Sequence, residues 1–534
     1  MYNRRVAFVA GLAAAIATPL GAQTFSPDRV RADMSYLADD LLEGREAGRR
    51  GYDLAARFVA TRFMGLGLKP GATDGWYQQV PLMSFAIDPA RAASLTIGGR
   101  SFDHGNAVIL NPAASADMTK GEAEAVFVGY GIADSLLGID DYRGLDVRGK
   151  IAVVIDGWPD GPPSDVAAHL SSMKDQAART RGAIGVVRLY SPRTASRISW
   201  DRMKTNARKP ATYWTDGGKP FLDNRAPRIA TFHDQATSAL FEGAPQSWEA
   251  IRAAIADPKV RPGGFALKQR IGFDRPTKSE SLRAPNVVAV IPGSDPSLAN
   301  EVVILTAHLD HDGIVPAVNG DTIMNGAMDN ASGVSTMLEA ARAFSETAPP
   351  RRTVMLVALA AEEKGLLGAD YLARHPLLSA SQRLVATVNL DMPILTYDFK
   401  DVVAFGAEHS TLGAAVAKAV AAAGVTLAPD PLPHEGLFVR SDHYAFVKQG
   451  VPSVFLATGP GGAGAAAQKD FLANHYHRVS DQVSLPIDWR AAARFAQVNY
   501  LIARELADAP TTPAWKPDSY FGRSFGKAAV PATR

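Results

Sequence analysis

EVVILTAH, running from Glu301 to His308, is an apolar run of strand length that ends in a histidine. TVMLVALAAEE, from Thr353 to Glu363, has the same form and ends in a pair of acids. RLVATVNLDM, from Arg383 to Met392, carries Asp391 directly after its apolar core. Around these lie NVVAVIPG (Asn286–Gly293), DVVAFG (Asp401–Gly406) and PSVFLAT (Pro452–Thr458). Helical spacing falls between the runs, from about Ser332 to Phe344, near Gly365–His375 and near Leu412–Ala423. Strands that are apolar throughout and alternate with helices belong to a sheet covered on both faces. The expected fold class is therefore α/β, with a mixed, mainly parallel sheet sandwiched by helices.

Upstream of Ala284 the texture differs. Asp28 to about Met64 is helical in pattern, with Leu37, Leu41 and Leu42 before GREAGRRG and Ala55, Phe58, Val59 and Phe63 after it. AEAVFVGYGI (Ala123–Ile132) and GKIAVVIDG (Gly149–Gly157) read as short strands bounded by turn residues. From Gly157 to Lys278 the periodicity weakens, which suggests a β-rich insertion. The expected organisation is a discontinuous main domain at 23–115 and 280–510, an inserted domain at 116–279, and a surface extension at 511–534. GPGGAGAAAQ (Gly459–Gln468) lacks the Lys-Ser/Thr signature of a phosphate loop and is expected to be a mobile loop at the mouth of a cleft.

MYNRR followed by the apolar stretch Val6–Ala22 has the form of a secretory signal peptide, 1–22, cleaved after Ala22. Its roughly 17 residues, interrupted by Pro19, are short for a membrane span of ~20, the alternative reading. The expectation is an exported, periplasmic or secreted protein with no transmembrane span in the mature chain. Lys+Arg 56 against Asp+Glu 54 is too balanced for nucleic-acid binding through bulk charge, and loss of Arg4 and Arg5 leaves the mature chain formally neutral. The 534 residues contain no cysteine, which excludes disulfides, a cysteine nucleophile and thiolate metal sites. Any metal must rest on His, Asp or Glu.

In open α/β sheets ligands sit beyond the C-terminal ends of the strands. Three strands end there at His308, at Glu362-Glu363 and at Asp391. NGAMDNASG places Asp329 before a helix, and HYHRVSD supplies His475, His477 and Asp481. Two histidines with several carboxylates and no thiolate suit zinc or a similar divalent ion. Adjacent acids can divide their work, one binding metal and one accepting a proton. Asp310, two residues past His308, can hold the far imidazole nitrogen.

The set TAHLDH, NGAMDNASG, AEEKGLLGADY, NLDM, SDHYAF and YHRVSD resembles the M28 family of zinc metallopeptidases from Asn286 to about Asn499. LADDLLEGREAGRRG resembles the segment that precedes the catalytic core in bacterial members, and VFVGYGI with DVRGKIAVVIDG resembles the protease-associated (PA) domain often inserted there. The resemblance implies two Zn2+ per chain. His308 and Asp391 would hold one, Glu363 and His477 the other, and Asp329 would bridge them. It also implies Glu362 as general base, Asp310 as the residue that orients His308, and His443, Tyr444 and Arg440 near the substrate. The spacing to Asp481 favours His477 over His475, and His311 is read as an outer partner or a surface residue. Peptides are the implied substrates and oligomeric state is left open. The implied activity is that of an exopeptidase, an aminopeptidase first. A carboxypeptidase or dipeptidase-like hydrolase, a mono-zinc cyclase-like enzyme and an inactive binding protein are the alternatives.

Overall fold

The computed structural model describes residues 24–526. The expected signal segment and its cleavage point lie outside the described residues. A mixed sheet runs, from one edge, through Lys219–Pro220, Ala211–Asp216, Tyr77–Ile87, Thr277–Ile291, Thr353–Leu359, Glu301–His308, Arg383–Leu390, Ser453–Thr458, Asp401–Phe405 and Thr426–Leu427. The four strands 353–359, 301–308, 383–390 and 453–458 are parallel neighbours at its centre. The strands bordering this quartet, 277–291 and 401–405, pair antiparallel to it.

The apolar runs have a direct cause. Every residue of Glu301–His308 and Thr353–Leu359 is buried. Val303, Leu305 and Ala307 pack on one face with Val334, Met337 and Leu338 of helix Ser332–Ser345 and with helix Trp489–Asp508. Val302 and Ile304 face the other way, onto Ala369 and Leu372 of helix Leu367–Arg374 and Ala445 and Phe446 of helix His443–Val447. Burying each such aliphatic side chain contributes about 1.5–3 kcal/mol. The strand ends at 308, 359 and 390 therefore sit on a rigid two-sided platform.

Strands Tyr77–Ile87 and Thr277–Ile291 pair antiparallel from Tyr77 opposite Val287 to Ile87 opposite Thr277. The Asp88 amide then donates to the Pro276 carbonyl at 2.8 Å, so the chain leaves and returns side by side. Between those points a second sheet is built from residues 94–274, starting earlier than the expected 116. It is also less purely β than its sequence suggested. Strands 120–127, 151–155, 185–189 and 228–232 are parallel neighbours accompanied by short helices such as Ser164–Ser172 and Asp234–Leu240. Helices of 7–9 residues are too short to print a clear periodicity. Ala211–Asp216 leaves this sheet and pairs with Tyr77–Ile87 instead.

Near the N-terminus, helices Pro27–Leu37 and Arg50–Gly65 flank a tight turn at Asp40–Arg45. The Gly459–Gln468 stretch is not a free loop. The Asp401 carboxylate accepts from the Gly461 amide at 3.0 Å, Gln468 Nε2 donates to the Thr458 carbonyl at 2.6 Å, and a helix runs from Gly464 to Asn474. The extension after 511 is pinned as well, because Phe521 is fully buried between His409 and Phe438. No helix among the described residues is long and apolar enough to cross a membrane.

Candidate metal centre

The loops at the C-terminal ends of the central strands converge on one cluster. His308 Nε2 lies 3.1 Å from Asp391 Oδ1 and 3.3 Å from Asp329 Oδ1. His477 Nε2 lies 3.1 Å from Asp329 Oδ2 and 3.2 Å from Glu363 Oε2. Asp329 thus turns one oxygen to each histidine. These separations match the edges of a tetrahedron whose corners lie about 2.0 Å from its centre, the length of a Zn–N or Zn–O bond. Both triads, His308–Asp329–Asp391 and Asp329–Glu363–His477, therefore fit a divalent ion, with Asp329 common to both.

Local backbone explains how the side chains are aimed. Asp329 and Met328 donate their amides to the buried Asp481 carboxylate at 3.0 and 2.8 Å, which fixes the turn between the left-handed Gly326 and helix Ser332–Ser345. Ala361, Met392 and His477 hold left-handed φ values of 56°, 42° and 53° beside or at the ligands. Such residues cost about 1–3 kcal/mol each and persist where surrounding structure fixes them. Here they turn the chain sharply at the strand ends, so that side chains point into one space.

The two adjacent acids differ in engagement. Glu363 faces His477 with one oxygen and His311 Nδ1 with the other, at 2.6 Å. The half-buried Glu362 carboxylate makes no hydrogen bond or ion pair among the described residues. Burial, aided by Glu363, Asp391 and Asp442 and opposed by His308, holds the Glu362 carboxyl well above the usual carboxylate range. Burial opposes ionisation of Asp329 too, but hydrogen bonds from His308 and His477 hold it well below that range. Burial lowers the affinity of His477 for a proton, yet Glu363 and Asp329 push it up to about 9.

Asp310 occupies a different position from the one expected. The group facing His308 Nδ1 is the Asp310 carbonyl, at 3.2 Å. Its carboxylate turns toward the other strand end and accepts from the amides of Glu362 and Glu363 at 3.0 and 3.3 Å. Asp310 therefore shapes the turn that presents both glutamates, because two adjacent N–H groups there need an acceptor. His443 and Tyr444 do not reach open space. His443 is fully buried against Phe438 and Phe455, with both ring nitrogens unpartnered among the described residues, and burial lowers it to about 4. Tyr444 bonds through its hydroxyl to His169 Nδ1 of the second sheet's helix Ser164–Ser172. Arg440 is exposed and paired with Glu435 at 2.9 Å.

Sequence reasoning passed over several neighbours. Of the two readings of His311, outer partner or surface residue, the structure has the first, buried against Glu363. Ser441 donates to Asp391 Oδ2 and accepts from Asn389 Nδ2 at 2.7 Å, and Asn389 accepts from Thr306 at 2.6 Å. Asp312 receives Lys209 Nζ, from the second sheet's side, at 2.6 Å. Beside His477 and Met392 opens a cleft of about 980 Å³, lined also by Trp158, Arg193, Arg197 and Arg202.

A mixed α/β sandwich thus brings two histidines and three carboxylates to its strand ends around one shared aspartate, a donor set that suits divalent metal ions. Residues 286–503 match the model of peptidase family M28. A probable zinc metalloprotease of Pyrenophora teres is 30% identical over 202 residues, covering 37% of this chain and 39% of that relative. A probable leucine aminopeptidase 2 of Aspergillus oryzae is 29% identical over 279 residues, covering 47% and 52%. The chain thus spans between about four tenths and half of these relatives. The solved aminopeptidase from Aneurinibacillus sp. strain AM-1 shares the fold at a TM-score of 0.52 and 19% identity, covering 93% of this chain and 97% of that one.

Proposed function

We propose that the chain is an exported zinc-dependent exopeptidase, most simply an aminopeptidase that removes N-terminal residues from peptides, with the segment that carries the second sheet, residues 94–274, acting as a protease-associated insert. The observation that carries the reading is that Asp329 turns one oxygen to His308, beside Asp391, and the other to His477, beside Glu363, with the Glu362 carboxylate left free beside them. His308 and Asp391 would hold one zinc, Glu363 and His477 the other, and Asp329 both. Bound there, zinc would supply Lewis acidity toward the scissile carbonyl and lower the pKa of an attacking water. Glu362 takes the proton of that water and delivers it to the departing amine. Ser441 and His311 each occupy the second oxygen of a ligating carboxylate, leaving the first aimed inward. The cleft beside His477 gives the rest of the peptide room.

The reading is tested with aminoacyl-nitroanilides. Hydrolysis should disappear on chelation and return with zinc, at two ions per chain by metal analysis. No hydrolysis by the zinc-loaded chain, or one ion per chain at full activity, would overturn it. A carboxypeptidase-like reading is favoured by the arginines on the cleft, Arg193, Arg197, Arg202 and Arg440. Peptides blocked at the N-terminus and peptides blocked at the C-terminus separate the two, because an aminopeptidase rejects only the former.

The two histidines on Glu363 give a further expectation. His477→Ala removes a ligand and should leave one tightly bound zinc per chain. His311→Ala removes an outer partner, so at saturating zinc two ions remain while affinity falls about 10–100-fold. Metal titration against a competing chelator distinguishes them, and equal loss in both variants would make His311 a ligand.

A further inference from the structure

The GREAGRRG segment is separate from the metal ligands in sequence, yet its first residues are buried at the metal centre. Arg45 is 1% exposed, and its guanidinium donates only to backbone carbonyls. Nε reaches Leu309 O at 2.9 Å, Nη1 reaches Asn325 O at 2.6 Å and also Leu37 O, and Nη2 reaches Gly326 O at 3.0 Å. Leu309 follows His308, and Asn325-Gly326 open the turn that carries Asp329. In return the Arg45 carbonyl accepts from the His311 amide at 3.3 Å.

The flanking residues reach the same loops. A Cβ on Gly44 would stand 2.6 Å from both the Gly313 and Met324 carbonyl oxygens, so this close approach needs glycine. Glu46 Oε1 accepts from Lys364 Nζ at 2.8 Å, immediately after Glu362-Glu363. Asn325 Nδ2 donates back to Ala38 O and Asp40 Oδ1 at 2.9 and 2.8 Å. Glu43, Gly44 and Arg45 hold three successive left-handed φ values of 51°, 66° and 51°. Two of them are non-glycine, each costing about 1–3 kcal/mol, which the contacts must offset.

We propose that Gly44-Arg45-Glu46 is a clamp that sets the spacing of the metal-ligand loops, with Arg45 as the positioning residue. One guanidinium ties the loop after His308 to the turn before Asp329, and Glu46 adds the loop after Glu363. Arginine is required because its planar fork offers five donors in fixed directions, whereas lysine offers a point charge on a flexible stem. The buried cation also feels the charges of Asp481, Asp310, Asp329 and Glu363, so it offsets the crowding of carboxylates while no metal neutralises them. The proposal rests on the metal-centre reading, but its test does not need peptide hydrolysis.

Arg45→Lys and Glu46→Gln in the full chain test it. Two readouts are followed, zinc affinity by chelator competition and amide exchange of residues 309–313 and 324–330 in the metal-free protein. Arg45→Lys is expected to weaken zinc binding about 10–100-fold, as loss of an outer partner does. It should also speed exchange in both loops at least about tenfold, while exchange of strand 353–359 stays at the parental rate. Loss of kcat should exceed any change in KM. Glu46→Gln should show a smaller shift confined to 309–313 and 364, and it decides the matter if Arg45→Lys does not fold. Parental zinc affinity and loop exchange in the folded variants would overturn the clamp. A parent that binds zinc and cleaves no peptide would overturn the enzymatic reading and leave the clamp standing.

Discussion

Glu362→Gln should lower kcat by about a thousandfold and leave the zinc content at the parental value. The expectation follows from how differently two neighbouring acids are engaged. Glu363 is committed on both oxygens, to His477 and to His311, whereas the Glu362 carboxylate makes no hydrogen bond or ion pair among the described residues and remains half-buried at the cluster. Glutamine keeps the shape and hydrogen-bonding reach of glutamate but cannot accept the proton that water must lose. General acid–base catalysis contributes roughly 10²–10⁴-fold, so a loss near 10³, about 4 kcal/mol in activation free energy, is the scale of the effect. KM should change little, because the metal ligands and the cleft are untouched. Glu363→Gln should behave differently and lose zinc together with activity. Steady-state kinetics combined with metal analysis on both variants separates the roles. Full activity in Glu362→Gln would remove it from the mechanism.

The proposed ligands were legible because parallel strands buried on both faces must be written as apolar runs, and such runs are easy to find. Where a run stops at His308, Glu362-Glu363 or Asp391, the polar residue has few reasons to be there other than the site. The supporting residues have no such signature. Arg45 acts through its guanidinium on main-chain carbonyls of 309, 325 and 326, and carbonyls carry no sequence identity. Asp310 acts on two amides for the same reason. His311 sits one residue from Asp310, and its partner is the Glu363 carboxylate of another strand end, 52 residues away in the chain. His443 and Tyr444 illustrate the opposite failure. Their sequence neighbourhood placed them at the substrate, but the short helix His443–Val447 directs them into the core and into the second sheet's His169. The start of the second sheet at 94 rather than 116 was hidden because its first strands, Ser94–Ile97 and Arg100–Asp103, are four residues long and partly exposed.

Asp329→Asn should remove most of the stabilisation that zinc gives the chain. Each triad has three donors, and Asp329 supplies one oxygen to each. Without its charge the pairs His308–Asp391 and Glu363–His477 would each be left with one anionic and one neutral donor. The amide would also present its NH2 group, which cannot ligate, to one of the two histidines. The backbone there should survive, because Asp481 holds the amides of residues 328 and 329 whatever the side chain is. A ligand bound only to the native state stabilises it by RT ln(1 + [L]/Kd), about 4 kcal/mol at a thousand times Kd for one site. Losing a ligand shared by two sites should exceed the 10–100-fold loss of affinity expected for an outer partner. The measurement is the rise in Tm between chelator and excess zinc, taken for parent and variant alike. Comparing rises cancels any change in metal-free stability caused by removing a carboxylate that pairs with two histidines. A rise below a tenth of the parental one, with hydrolysis lost, is the expected result. A parental rise in Asp329→Asn would mean that the two triads bind zinc independently and that the shared aspartate is not their link.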